Sequence, residues 1–158
     1  MNIIYNIDKY NKNKISFSDS KRNILMDGKF TKIVFSESYF SLVGIYLKIN
    51  FNNTRLNTIN NKHILKLDKN LNNDKIIKSL VQIEFDILNY YKVLFDTNKK
   101  INFLLKNYLL SGNIRIYMND NNYEGMCYIL KISGVWESED EIGITYKFLK
   151  SNNYSFYE

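Results

Sequence analysis

Apolar and polar side chains alternate through much of this chain, and the clearest alternation runs from Met126 to Leu149. Met126, Tyr128, Leu130, Ile132 and Trp136 share one parity, and Ile142, Ile144, Tyr146 and Phe148 share one beyond the polar residues Glu137 to Glu141. A period of two is what a strand with one buried face requires, because successive side chains point to opposite faces. The polar interruption has hairpin length, so the pattern predicts a central hairpin carrying the tryptophan.

A second β pattern runs from Lys29 to Phe51. Phe30, Lys32, Val34 and Ser36 alternate with Thr31, Ile33 and Phe35, and Ser36-Glu37-Ser38 reads as a turn. Ile45, Leu47, Ile49 and Phe51 then share one face, with Tyr46, Lys48 and Asn50 on the other. Gly44 within that run predicts a bulge or a close approach of another backbone. Shorter strands are expected over Asn2 to Ile7, His63 to Leu67 and Asn113 to Met118. Asp8 to Lys14 and Asn52 to Asn61, the latter holding Arg55, read as loops. Residues 23–27 form an apolar patch before a turn at Gly28, and residues 119–125 read as a turn.

Between these strands the period changes. From Asp74 to Phe95, Ile77, Leu80, Val81, Ile87, Leu88, Tyr91 and Phe95 recur largely at spacings of three and four, which predicts a long amphipathic helix. Asn73 is the expected N-cap, with Asp74 at the positive end of the helix dipole. Ile101, Leu104, Leu105, Tyr108 and Leu109 predict a shorter helix stopped by Gly112, with a buried strand as the alternative. The order of elements argues an α+β domain over residues 1–150. Its antiparallel sheet, or OB-like partial barrel, carries one long and one shorter helix. Residues 151–158 are expected to form a flexible tail.

The 158 residues, 45% hydrophobic and 15% aromatic, are ample for one buried core and exclude general disorder. No apolar run reaches the length of a membrane span, and the first residues lack the pattern of a signal peptide. With one cysteine, Cys127, no internal disulfide can form, so an intracellular compartment is expected.

Catalysis finds little support. His63 is the sole histidine, and with Cys127 it gives no zinc-ligand spacing. The acidic turn 137–141 lacks the glycine of a calcium loop, and no phosphate-binding or nucleophile-elbow motif stands in the chain. No catalytic residue, metal or cofactor is therefore expected.

Charge points elsewhere. A formal net charge of +6 draws polyanions, and cations beside aromatics suit single-stranded nucleic acid, whose bases stack while Lys and Arg meet phosphates. Tyr46 with Lys48, and Arg115 with Tyr117, share the less apolar faces of their strands, and Lys131 and Lys147 lie opposite the apolar parity of the hairpin. Lys32 and Arg55 add phosphate contacts. Trp136 ends its strand on the apolar parity, where packing competes with base stacking. The expectation is a non-enzymatic single-strand binder, which could act as a homo-oligomer. The alternative is a structural or assembly protein whose aromatics close a protein interface. Tyr154, Phe156, Tyr157 and Glu158 put aromatics beside a carboxylate, a composition suited to recruiting a replication partner.

The segment LKISGVWESEDEIGITYKF resembles a C-terminal segment of small proteins of nucleocytoplasmic large DNA viruses. The resemblance rests on Lys131, Gly134, Trp136, the turn Glu137 to Glu141 and the strand Gly143 to Phe148, with the preceding NIRIYM strand also similar. It covers the last third of the chain. It implies a viral protein from an AT-rich genome, of a single-stranded-DNA-binding type, located in host cytoplasm, viral factory or virion.

Overall fold

The computed structural model describes residues 3–23, 28–118, 127–151 and 155–156. The apolar patch expected at 23–27, apart from the backbone of Asn23, and the turn expected at 119–125 lie outside these residues. The chain runs through β1 (Ile3–Asn6), two single-turn 3-10 helices (Ile7–Lys9 and Lys12–Lys14), β2 (Ile15–Phe17), β3 (Lys21–Asn23) and β4 (Gly28–Ser36). Next come β5 (Ser41–Val43), β6 (Ile45–Ile49), β7 (Thr54–Ile59), β8 (Lys62–Leu67) and the long helix α1 (Leu71–Leu94). After β9 (Lys100–Ile101) and α2 (Leu104–Leu110) it ends with β10 (Asn113–Met118), β11 (Cys127–Glu137), β12 (Glu141–Ser151) and β13 (Ser155–Phe156). The fold is α+β, as the switch in hydrophobic period predicts.

The main path of the sheet is β13-β1-β6-β11-β12-β10-β8-β7. It is mixed rather than antiparallel, because β1 runs parallel to β6 and β10 runs parallel to β12. The second of these follows from the central hairpin: β11 pairs with β6, which leaves the outer edge of β12 for β10. The two ends of the path, β13 and β7, do not pair, so no closed barrel forms among the described residues. The sheet nevertheless curls. The side chain of Thr54, at the start of β7, lies near the Tyr128 hydroxyl of β11, four strands away along the path. Both side chains lie on the helix side, which makes that side concave.

Helices α1 and α2 pack into this concave face. Leu80, Ile83, Ile87, Leu88 and Tyr91 of α1 and Leu105 and Leu109 of α2 bury against Leu47, Leu130, Ile144, Phe148, Ile114 and Leu65. Burying each such side chain is worth roughly 1.5–3 kcal/mol, which outweighs the modest intrinsic preferences of the strands. Helix α1 begins three residues earlier than its pattern predicts. Asn70, not Asn73, is the N-cap and accepts from the Asn73 N–H at 2.8 Å. Asn73 is buried instead, and its side chain bonds the backbone of Asn52 and Asp68. An Asn that completes a loop's backbone bonds leaves the apolar pattern untouched, which is why periodicity misplaced the start.

One expected loop contains a strand, and two further short strands lie where no element was expected. β2 and β3 both pair with β4, and the stretch read as the loop 52–61 is mostly β7. β7 and β8 are joined through Asn60 and Asn61 at φ 50° and 61°, a left-handed pair that suits a two-residue hairpin turn and that Asn tolerates well. Within the tail, the backbone of Ser155–Phe156 pairs in parallel with β1. No helix of the described residues is long and apolar enough to cross a membrane.

Candidate nucleic-acid interface

The face of the sheet turned away from the helices is set by parity. Ile45, Leu47 and Ile49 of β6 enter the main core, so Tyr46 and Lys48 point away from it. The same logic sends Lys131 of β11, Lys147 and Leu149 of β12, Arg115 and Tyr117 of β10, Lys66 of β8 and Arg55 of β7 outward together. Lys32 of β4 joins them opposite Gly134. This face is the outside of the curl, so the cations form a stripe over a convex surface. No acidic residue holds an outward position on β6, β10, β7 or β8, or on β11 and β12 between their turn and their far ends.

At the centre, Lys131 and Lys147 are direct cross-strand neighbours, and Tyr46 faces Lys131 on the other side. Like charges placed opposite each other cost about 0.2–1 kcal/mol. Aromatic rings offset part of that cost. The Lys131 ammonium lies 5.6 Å from the centre of the Tyr46 ring, and Lys147 lies 5.1 Å from that of Tyr117. The Arg115 guanidinium is closer still to Tyr117, at 4.6 Å. Such contacts are worth about 0.5–1 kcal/mol at exposed sites. Tyr117 is therefore a ring gripped by two cations, and it keeps 36% of its surface exposed.

Tyr46 and Trp136 depart from their expected roles. Tyr46 is only 6% exposed and packs with Ile4, Ile129 and Leu149 in a second, small apolar cluster, against which Cys127 also rests. It supports Lys131 rather than offering a free ring. Burial pushes the Cys127 thiol above its ordinary value, as expected of a packed cysteine. Trp136, which by parity belongs to the core, points outward. The register of β11 against β12 shifts between Ile132 and Gly134, and this bulge reverses the faces of every residue that follows. Val135 becomes the core residue, and the Trp136 ring lies over Gly143, in the space a Cβ there would need. Phe30 covers Gly134 in the same way, so a second pair of rings joins the outer face next to Lys32.

Of the nine residues selected from the sequence, Lys32, Tyr46, Lys48, Arg55, Arg115, Tyr117, Lys131, Trp136 and Lys147, all take outward positions, and Tyr46 alone among them is buried. Lys66 and Phe30 share that face and were not singled out. Both were visible as alternation partners, Lys66 between Leu65 and Leu67 and Phe30 beside Lys32, once the β7–β8 pairing and the β4–β11 pairing are known.

The hairpin tip carries a separate polar network. Glu137 accepts from the Tyr91 hydroxyl at 2.6 Å and pairs with Lys99 at 2.7 Å. Burial works to raise the Glu137 carboxyl, but those two hydrogen bonds and the charges of Lys99 and Lys29 outweigh it and hold the group below its ordinary value. Burial, and then Glu137, push the Tyr91 hydroxyl up to about 12. Under the sheet, the fully buried Glu84 accepts from the Leu105 and Lys106 N–H groups at 2.9 Å each, and so caps α2 from α1. His63 bonds Thr58 through Nδ1 at 3.0 Å, a contact within the β7–β8 hairpin. Among the described residues no group of three or more His, Cys, Asp or Glu is arranged to hold a metal ion.

The structure thus defines a mixed α+β domain with helices on its concave side and a cationic, aromatic stripe on its convex side. No known protein family, curated protein or solved structure matches the chain.

Proposed function

We propose that this protein binds single-stranded nucleic acid, without catalysis and without strong sequence choice, across the convex face of its sheet. The observation that carries this reading is the pair Lys147 and Arg115 on the exposed Tyr117 ring, with Lys131 directly across from Lys147, so that like charges are held side by side with no carboxylate between them. Such a cluster is relieved by a polyanion, whose phosphates draw the cations off the ring and free its face for a base to stack on. The path from Lys48 on β6 to Arg55 on β7 crosses five strand spacings, roughly 24 Å at ~4.8 Å each, which fits a short run of nucleotides. Lys32, Phe30 and Trp136 extend it along β4. The C-terminal resemblance to small proteins of large DNA viruses agrees with this reading.

A second reading rests on α1, whose outward side carries Phe85, Tyr90, Val93, Leu94 and Phe95, all at least 39% exposed. That row favours a structural or assembly protein acting through protein contacts. Fluorescence anisotropy with a labelled oligothymidine separates the two. Binding at low salt that weakens steeply as salt is added is expected from the first reading, and no binding at low salt removes it.

A further inference from the structure

One edge of the sheet is unguarded. β7 ends the strand path, and no other described strand pairs with its outer side. Natural edges are protected by proline, lysine, a bulge or a covering element. β7 has no proline, lysine or bulge, and Arg55 is its one charge: its sequence is Thr-Arg-Leu-Asn-Thr-Ile, and its six residues pair with β8 in unbroken register. Asn57, Thr58 and Ile59 are exposed.

The direction of its free backbone groups follows from the neighbouring strand. The Leu67 N–H donates to Gly112 O at 2.9 Å, on the β10 side, so the odd-numbered residues of β8 bond towards β10 and the even-numbered ones towards β7. Lys62, Lys66 and Ile64 therefore exchange bonds with Ile59, Arg55 and Asn57. By alternation, the N–H and C=O groups of Thr54, Leu56 and Thr58 face outward.

We propose that two copies of this chain pair antiparallel along β7, about a two-fold axis at Leu56. In this register Leu56 meets Leu56 of the second copy and Thr54 meets Thr58, and each of these pairs exchanges both backbone bonds. Moving the axis to Asn57 leaves only the Leu56–Thr58 pairs, because Asn57 bonds towards β8. The side chains complement themselves in the Leu56 register. Threonine lies opposite threonine on one face, and Arg55 lies opposite Asn57 on the other, so neither arginine faces its own copy. The two convex faces then continue one another across the axis, with Arg55 and Lys66 of both copies at the centre. The pairing does not rest on nucleic-acid binding and stands or falls without it.

The test uses the full chain without nucleic acid. Light scattering behind size exclusion at about 100 μM is expected to give twice the 18.8 kDa chain mass, and Thr58→Pro, which removes an outward N–H and leaves the bonds to β8 in place, to give the mass of one chain. Register is read by oxidative cross-linking in a Cys127→Ser background. Leu56→Cys places two sulfurs on residues about 5.5 Å apart at their Cα atoms and is expected to link. Thr54→Cys alone is expected not to link, and to link only when mixed with Thr58→Cys. A monomer at that concentration, or Thr54→Cys linking as readily as Leu56→Cys, overturns the proposal.

Discussion

Lys131 and Lys147 show what single positions contribute to this protein. Each alternates with core residues, each is placed by the β11–β12 register, and their juxtaposition costs folding energy that a bound polyanion would recover under the proposed function. Replacing Lys131 with Gln is therefore expected to leave folding stability unchanged or raise it by up to about 1 kcal/mol while weakening oligonucleotide binding, as urea denaturation and anisotropy measure in parallel. Glu84 behaves in the opposite way. Both of its oxygens accept backbone N–H groups at the start of α2, and Glu84→Gln would turn one of them into a donor facing a donor. A loss of about 1–3 kcal/mol is expected by chemical denaturation. Gly143 is a third such position, since the Trp136 ring occupies the space of its missing Cβ. Gly143→Ala is expected to move that ring, and the change in emission of the single tryptophan reads it directly.

At the scale of elements, legibility in the sequence followed the strength of the period. The central hairpin, β10 and the two helices announce themselves because their apolar residues repeat every two or every three to four positions. β7 does not, because one of its faces holds Thr54, Leu56 and Thr58 and the other Arg55, Asn57 and Ile59, neither of them consistently apolar. The residues of the outward face were legible for the same reason the strands were. Trp136 was not, because one bulge near Ser133 reversed the faces after it, and only the Ser-Gly pair hinted at that break. The tip of the hairpin is fastened to α1 and to the α1–β9 connection by Glu137. Its carboxyl is held below its ordinary value, so the unfolded chain binds the proton more tightly and stability rises with pH through that interval. The contribution is complete above the ordinary carboxylate value and disappears as pH falls through the lowered one. Thermal midpoints measured between about pH 6 and pH 3 should fall less for Glu137→Gln than for the wild-type protein. Glu84, raised mainly by burial, works in the other direction, its contribution being lost as pH rises through the raised value.

For the molecule as a whole, the curl of the sheet separates two surfaces with different chemistry. The concave side encloses α1 and α2 and supplies the stability, and the convex side collects the cations that the net charge of +6 requires to lie somewhere. Composition alone announces a basic protein, but only the mixed strand order places Arg115 beside Lys147, because β10 lies against β12 rather than against β11. The central claim is that this stripe, and not the charge at large, meets phosphates. It is tested most directly by the salt dependence of oligothymidine binding for the wild-type protein, for Lys131→Gln/Lys147→Gln, and for a control that removes two cations from α1, Lys75→Gln/Lys78→Gln. The double change on the sheet should reduce the slope of log affinity against log salt by about 2, and the helix control should leave it unchanged. Equal slopes for all three proteins would contradict the account.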